Sequence, residues 1–255
     1  MELYCKVIPC LDTRNGRLVK GVNFIDLQDL GDPAEVGAGY SNAGADELVL
    51  LDITATLEGR ATLLDAVKRT VEKIKCPLTI GGGIASLDDI KRLFDLGVSK
   101  VSMNSAAIRN PELVRQAAEV YGSDRVTVAI DTRRNAKFAS GFEAMVKGGT
   151  QGADIDAVAW ARRVQSLGAG AILPTSMEGD GTKAGYDLPM TRAISDAVTI
   201  PVIASGGAGK LEHLSEAVKQ GHANAVLVAS IAHYGTFTIR QMKEHLQSQG
   251  IPVRL

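Results

Sequence analysis

The chain repeats its own pattern at an offset of about 124 residues, so its fold must accommodate two similar halves. Cys76-Pro77-Leu78-Thr79-Ile80-Gly81-Gly82-Gly83 returns as Ile200-Pro201-Val202-Ile203-Ala204-Ser205-Gly206-Gly207 (201 − 77 = 124). Gly44-Ala45-Asp46-Glu47 returns as Gly168-Ala169-Gly170-Ala171 at the same offset. The opening Val7-Ile8-Pro9-Cys10-Leu11-Asp12-Thr13-Arg14 resembles Val126-Thr127-Val128-Ala129-Ile130-Asp131-Thr132-Arg133, 119 residues on. Each half thus offers one strand ending in aspartate and one ending in a glycine cluster. Duplicated chemistry at equivalent places predicts a pseudo-twofold site with two carboxylates and two anion pockets.

Eight short apolar runs, each followed by helical periodicity, span the chain near 6–12, 47–52, 77–80, 100–103, 126–131, 171–174, 201–205 and 225–228. Their near-continuous β-branched character suits parallel strands covered on both faces. Asp32-Pro33 and Asn110-Pro111 read as caps followed by proline, and Ser86-Leu87-Asp88-Asp89 resembles a capping box. Strand and helix alternating eight times predict a (βα)8 barrel of one domain over residues 1–255, with halves of about 1–122 and 123–255. An open doubly wound sheet is the alternative, but a four-plus-four repeat closes more naturally. The connections from Thr13 to Asp32 and from Thr132 to about Gly152 exceed barrel norms and read as long loops, candidate lids on the active face.

The 28 basic and 29 acidic residues leave a net charge of −1, which implies neither a nucleic-acid surface nor an anionic-membrane one. Any anion binding is therefore local. Three cysteines without metal-ligand spacing fit a reducing cytoplasm, and no apolar run approaches a membrane span. The four histidines show no ligand spacing, so neither metal nor cofactor is expected.

Asp12 and Asp131 end apolar strands on opposite sides of the predicted barrel mouth. A buried carboxylate is costly without a role or partner, and two facing one cavity suit a general acid and a general base. Gly81-Gly82-Gly83 and Ser205-Gly206-Gly207-Ala208-Gly209 each lie between a strand and a helix, where backbone amides approach phosphate closely. One strand later come Asn104-Ser105 and Ala229-Ser230, so each half can build a phosphate site from two neighbouring strand ends. Two sites imply a substrate with a phosphate at each end. Asp52, Thr79, Ser102, Thr175, Asp180 and Gly181 are further rim candidates, and Lys20 stands on the first long loop.

Ile8-Pro9-Cys10-Leu11-Asp12, Arg17-Leu18-Val19-Lys20-Gly21-Val22-Asn23-Phe24, Asp46-Glu47-Leu48-Val49-Leu50-Leu51-Asp52-Ile53-Thr54-Ala55 and Ile203-Ala204-Ser205-Gly206-Gly207-Ala208-Gly209 resemble the cyclase subunit of imidazole glycerol phosphate synthase, of histidine biosynthesis. The resemblance runs from about Lys6 to Leu255. A neighbouring family, the phosphoribosyl-formimino isomerase of the preceding step, shares the duplicated half-barrel. Cys-Leu-Asp in the first strand, the Val-Lys-Gly loop and Leu-Asp-Ile-Thr after the second favour the cyclase.

The resemblance implies a bis-phosphorylated ribulosyl-formimino aminoimidazole carboxamide ribotide as substrate and ammonia as the nitrogen source. Asp12 and Asp131 match the family's acid–base pair. Gly83, Asn104 and Ser105 match one phosphate site; Asp180, Gly181, Gly207, Ala229 and Ser230 match the other. Lys20 matches a lysine that closes over substrate. It implies also a separate glutaminase subunit on the N-terminal barrel face, with ammonia passing through a ring of charged residues. Lys6, Glu47 and Lys100 match that ring. Ala171 replaces its usual glutamate and Ser99 a usual aspartate, departures that touch the gate and docking face. With Ala171 in place of an acid, one ring lysine is expected to lose its partner.

Overall fold

A computed structural model describes residues 4–22, 25–55 and 64–255, with side chains at all of these except 20, 22 and 25–27. Eight strands form the barrel: β1 (Lys6–Arg14), β4 (Leu48–Asp52), β5 (Leu78–Gly81), β6 (Lys100–Met103), β7 (Val126–Arg134), β10 (Ala171–Ser176), β11 (Ile203–Ala204) and β12 (Ala225–Val228). Parallel ladders run from β11 through β12, β1, β4, β5, β6 and β7 to β10. Isolated bridges Ile172–Val202 and Thr175–Ser205 close the ring between β10 and β11. Helices α1 (Pro33–Asn42), α2 (Leu64–Lys73), α3 (Leu87–Asp95), α5 (Glu112–Tyr121), α6 (Ala157–Ser166), α7 (Leu188–Ser195), α8 (Leu211–Lys219) and α10 (Ile239–Ser248) lie between or after the strands. Two short helices, α4 (Ser105–Arg109) and α9 (Ser230–His233), follow β6 and β12 directly.

Of the three helix starts read from the sequence, two follow the side-chain chemistry. Asp32 accepts from the Ala34 N–H at 2.9 Å, with Pro33 at the first helical position. Ser86 accepts from Asp89 N–H at 3.1 Å, while the Asp89 carboxylate reaches back to the Ala85 N–H, one residue beyond a standard box. Asn110 makes no side-chain cap; α5 starts directly from Pro111.

The two long connections differ from expectation: both are antiparallel hairpins that prolong the aspartate-bearing strands. β2 (Arg17–Val22) folds back on β1 with Arg14 opposite Arg17 and continues into β3 (Ile25–Gly31). The reason lies in Asn15-Gly16, both in the left-handed region at φ 52° and 73°, as a two-residue hairpin turn requires. In the second half, β8 (Phe142–Val146) pairs with β7 from Asp131 opposite Met145, and β9 (Gln151–Asp156) follows.

Apolar residues fill two shells. Ile8, Cys10, Val49, Leu173, Ile203 and Leu227 are buried together inside the barrel. A larger shell, including Leu48, Leu50, Ile80, Val128, Ile130 and Trp160, packs strands against helices. Pro174, the last residue of the apolar run read at 171–174, sits mid-strand because β10 extends to Ser176. Ile172 donates to Pro201 O and Ser176 to Ser205 O, so the amide proline lacks belongs to the β10–β11 seam. That seam is accordingly held by bridges rather than a continuous ladder.

Candidate active site at the strand ends

Period-two alternation turns Ile8, Cys10 and Asp12 of β1 to one face, and the first two share the barrel interior. Asp12 is buried and accepts from the Cys10 thiol, Sγ to Oδ1 3.4 Å. Asp131 lies at the matching place on β7, and its Oδ2 accepts from Asn104 Nδ2 at 2.8 Å. Burial pushes the Asp131 carboxyl from 3.8 up to about 7; the nearby Asp180 adds to the rise and the Asn104 hydrogen bond opposes it. A carboxyl so placed can hold and release a proton near neutral pH.

Thr13 and Thr132, the residues after the two aspartates, make matched contacts. Thr13 Oγ1 donates to Leu51 O at 3.2 Å and Thr132 Oγ1 to Thr175 O at 3.1 Å. They pin each aspartate-bearing strand to its neighbour. Sequence reasoning did not single them out, although both stand inside the quoted repeat.

The glycine clusters also match. A side chain at Gly82 would meet Asp52 O at 2.1 Å, and one at Gly206 would meet Ser176 O at 2.9 Å. Both glycines have φ near 88°, so the backbone of each cluster lies directly on the preceding strand end. Gly207 crosses equally close to Gly185, whose N–H donates to Gly207 O at 2.8 Å. Asn104 and Ala229 share an unusual backbone, φ −116°, ψ −86° and φ −132°, ψ −82°, before α4 and α9. Ser105 and Ser230 are both buried at the first positions of those helices. Gly83, Asn104 and Ser105 thus share one side of the mouth, Gly207, Ala229 and Ser230 the other. Asp180 and Gly181 lie in the turn after β10, Asp180 N–H donating to Ser176 O at 2.9 Å. A cavity of about 450 Å³ opens beside this turn, lined among others by Arg134, Ser176, Gly179, Gly185 and Asp187.

Among the described residues of the first half, two buried polar atoms have no hydrogen-bond partner, Ser102 Oγ and Asn104 Oδ1. Such groups are costly unless something else completes them. Asp52 accepts from Ala55 N–H at 3.2 Å, and its counterpart Ser176 accepts from Gly179 N–H at 3.2 Å, so each also caps its own loop. Thr175 is buried beside Asp131 in the β7–β10 register. The backbone of Lys20 lies on β2, opposite Gln28; its side chain is outside the described residues.

Thr79 is a correction. Expected at the substrate, it instead donates to Glu47 Oε1 at 2.6 Å, at the other end of the barrel. There Glu47 Oε2 meets Lys100 Nζ at 2.7 Å and Lys6 Nζ at 3.5 Å. Glu47 is only 2 % exposed, so its carboxylate is held by three donors rather than by water. The expectation that one lysine loses its partner beside Ala171 is also corrected, since both converge on Glu47.

Closed parallel barrel, paired strand-end aspartates and paired glycine crossings define an α/β-barrel enzyme with a duplicated candidate site at the C-terminal ends of the strands. A family model described as histidine biosynthesis protein matches residues 6–238. The chain belongs to that family. It is 54 % identical over 253 residues to the imidazole glycerol phosphate synthase subunit HisF of Synechococcus sp. (strain CC9605), covering 98 % of each chain. The HisF subunit of Microcystis aeruginosa (strain NIES-843 / IAM M-2473) is 54 % identical over 250 residues, again 98 % of each.

Proposed function

We propose that the barrel mouth closes an imidazole ring from ammonia and a bis-phosphorylated ribulosyl-formimino aminoimidazole carboxamide ribotide, with Asp12 and Asp131 as the acid–base pair. The cyclase activity in histidine biosynthesis is carried by one observation, the 54 % identity to HisF subunits over 98 % of the chain. Ammonia's nitrogen bonds to the ribulosyl carbonyl carbon, whose oxygen leaves as water. The same nitrogen then joins the formimino carbon as that carbon's bond to the ribotide amine breaks. Imidazole glycerol phosphate and the aminoimidazole carboxamide ribotide leave.

Each step moves protons between nitrogen and oxygen. A carboxyl titrating near 7, as burial makes Asp131, suits the donor to the departing oxygen and amine. Asp12, across the mouth, takes the complementary protons. The cradle of Gly83, Asn104 and Ser105 holds one phosphate, with Ser102 facing the same side. The cradle of Asp180, Gly181, Gly207, Ala229 and Ser230 holds the other. Their matched backbones support this division of a two-headed substrate.

Ammonia enters from the opposite end, past Lys6, Glu47 and Lys100, delivered by a glutaminase subunit. That the relatives are named subunits supports a partner. Among the described residues no helix is long and apolar enough to cross a membrane. The chain works in the cytoplasm in this reading, consistent with its three free thiols. The test is turnover of the substrate with ammonium salt at alkaline pH, and again with ammonium omitted. Conversion of the substrate that proceeds equally well with ammonium omitted, and yields no imidazole product, would overturn the reading in favour of an isomerase.

A further inference from the structure

The tripeptide Val19-Lys20-Gly21 of β2 recurs as Val146-Lys147-Gly148 at the end of β8 (146 − 19 = 127). Both belong to the hairpin arm that folds back on an aspartate-bearing strand. β7 neighbours β6, so its hairpin leans over the strand end carrying Asn104 and Ser105. The contact is direct: Lys147 N–H donates to Ser105 Oγ at 2.9 Å, and α4 packs against β8. β1 neighbours β12 in the same way, which assigns the Lys20 arm to the side of Ala229 and Ser230.

Lys147 holds φ +54° and Gly148 φ +63°, the left-handed start of the turn between β8 and β9, so the turn sets where the lysine side chain leaves the backbone. Its side chain is exposed and enters no ion pair among the described residues. The cradle below is built from neutral groups, Gly83, Ser102, Asn104 and Ser105, and Asp131 stands beside Asn104. Among these residues a phosphate dianion meets donors but no positive charge. Ser102 Oγ and Asn104 Oδ1, buried without partners, mark that side as incomplete without a ligand. The flexible four-carbon stem of a lysine anchored at Ser105 can lay its ammonium over the cradle.

We propose that Lys147 is a substrate-binding residue whose ammonium closes over Ser105 and neutralises the phosphate held in the first-half cradle, as the counterpart of Lys20 in the second. This rests on the two-phosphate reading above. Lys147→Gln keeps the backbone N–H that Ser105 accepts and removes only the charge; Lys147→Arg keeps the charge. With ammonium as nitrogen source, Lys147→Gln should raise the KM for substrate by about 10- to 100-fold while kcat changes less than about threefold. Lys147→Arg should recover most of the loss. The two products carry one phosphate each, so as competitive inhibitors they report the cradles separately. Lys147→Gln should weaken inhibition by one product and spare the other, and Lys20→Gln should do the reverse. Unchanged KM and unchanged inhibition by both products would overturn the proposal, as would equal loss for both. A parent enzyme without ammonia-dependent turnover would instead defeat the functional reading. Binding of inorganic phosphate by calorimetry would then still decide on Lys147: weaker in Lys147→Gln supports it, unchanged overturns it.

Discussion

Two carboxylates at equivalent strand ends have unequal neighbours, and the proposed acid–base pair is tested at each of them. Asp12 meets the Cys10 thiol, whereas the counterpart of Cys10 is Ala129, and Asp131 is held instead by Asn104 from β6. Asp12→Asn and Asp131→Asn should each lower ammonia-driven turnover by about 10²–10⁴-fold with substrate affinity nearly intact, measured by steady-state kinetics. Near-normal turnover in either would leave that aspartate a loop cap. Stability gives a second readout. The folded-state value of Asp131 is raised above 3.8 to about 7, so its contribution is whole below the lower value and is lost as pH rises through the higher one. Asp131→Asn should remove roughly 2–3 kcal/mol of the stability lost between pH 5 and pH 8. Urea unfolding at the two pH values measures this; equal pH dependence in parent and variant would show that the carboxyl ionises freely.

At the scale of elements, the β10–β11 seam is the place where one residue limits a ladder. Pro174→Leu would supply the missing amide between the bonds from Ile172 and Ser176, worth about 1 kcal/mol less a part for the lost rigidity of proline. A rise of about 2 °C in Tm by calorimetry is expected; a fall would mean the strand has adapted to proline. The eight strands were legible because each is a short apolar run, and their ends lay within a few residues of expectation. The first hairpin was signalled by Asn15-Gly16, whose turn chemistry is local, but loop length alone concealed it. Thr79 was misplaced because a four-residue strand exposes both barrel ends within one turn of sequence. The repeat itself fails at Asp46 and Gly170 because the two positions meet different neighbours. Asp46 receives Lys243 from α10 at 2.8 Å, a contact across 197 residues. A side chain at Gly170 would instead strike Ser123 O at 2.0 Å.

Over the whole molecule, a layer of apolar side chains inside the barrel separates the Lys6, Glu47 and Lys100 cluster at the strand starts from the strand ends that carry Asp12 and Asp131. Lys6 and Lys100 share Glu47, while Ala171 offers no second carboxylate at the start of β10. With a glutaminase subunit, the ratio of glutamate released to imidazole product should therefore exceed one. Ala171→Glu should bring it closer to one without raising ammonium-driven turnover; a parent ratio already at one and unchanged in the variant would show that coupling does not need this position. The central claim, however, is a duplicated site for a two-headed substrate. Crystals of the parent protein soaked in sulfate test it most directly. Two anions should appear at saturation, one at Gly83 and Ser105, the other at Gly207 and Ser230. Density at only one of these places would contradict the account.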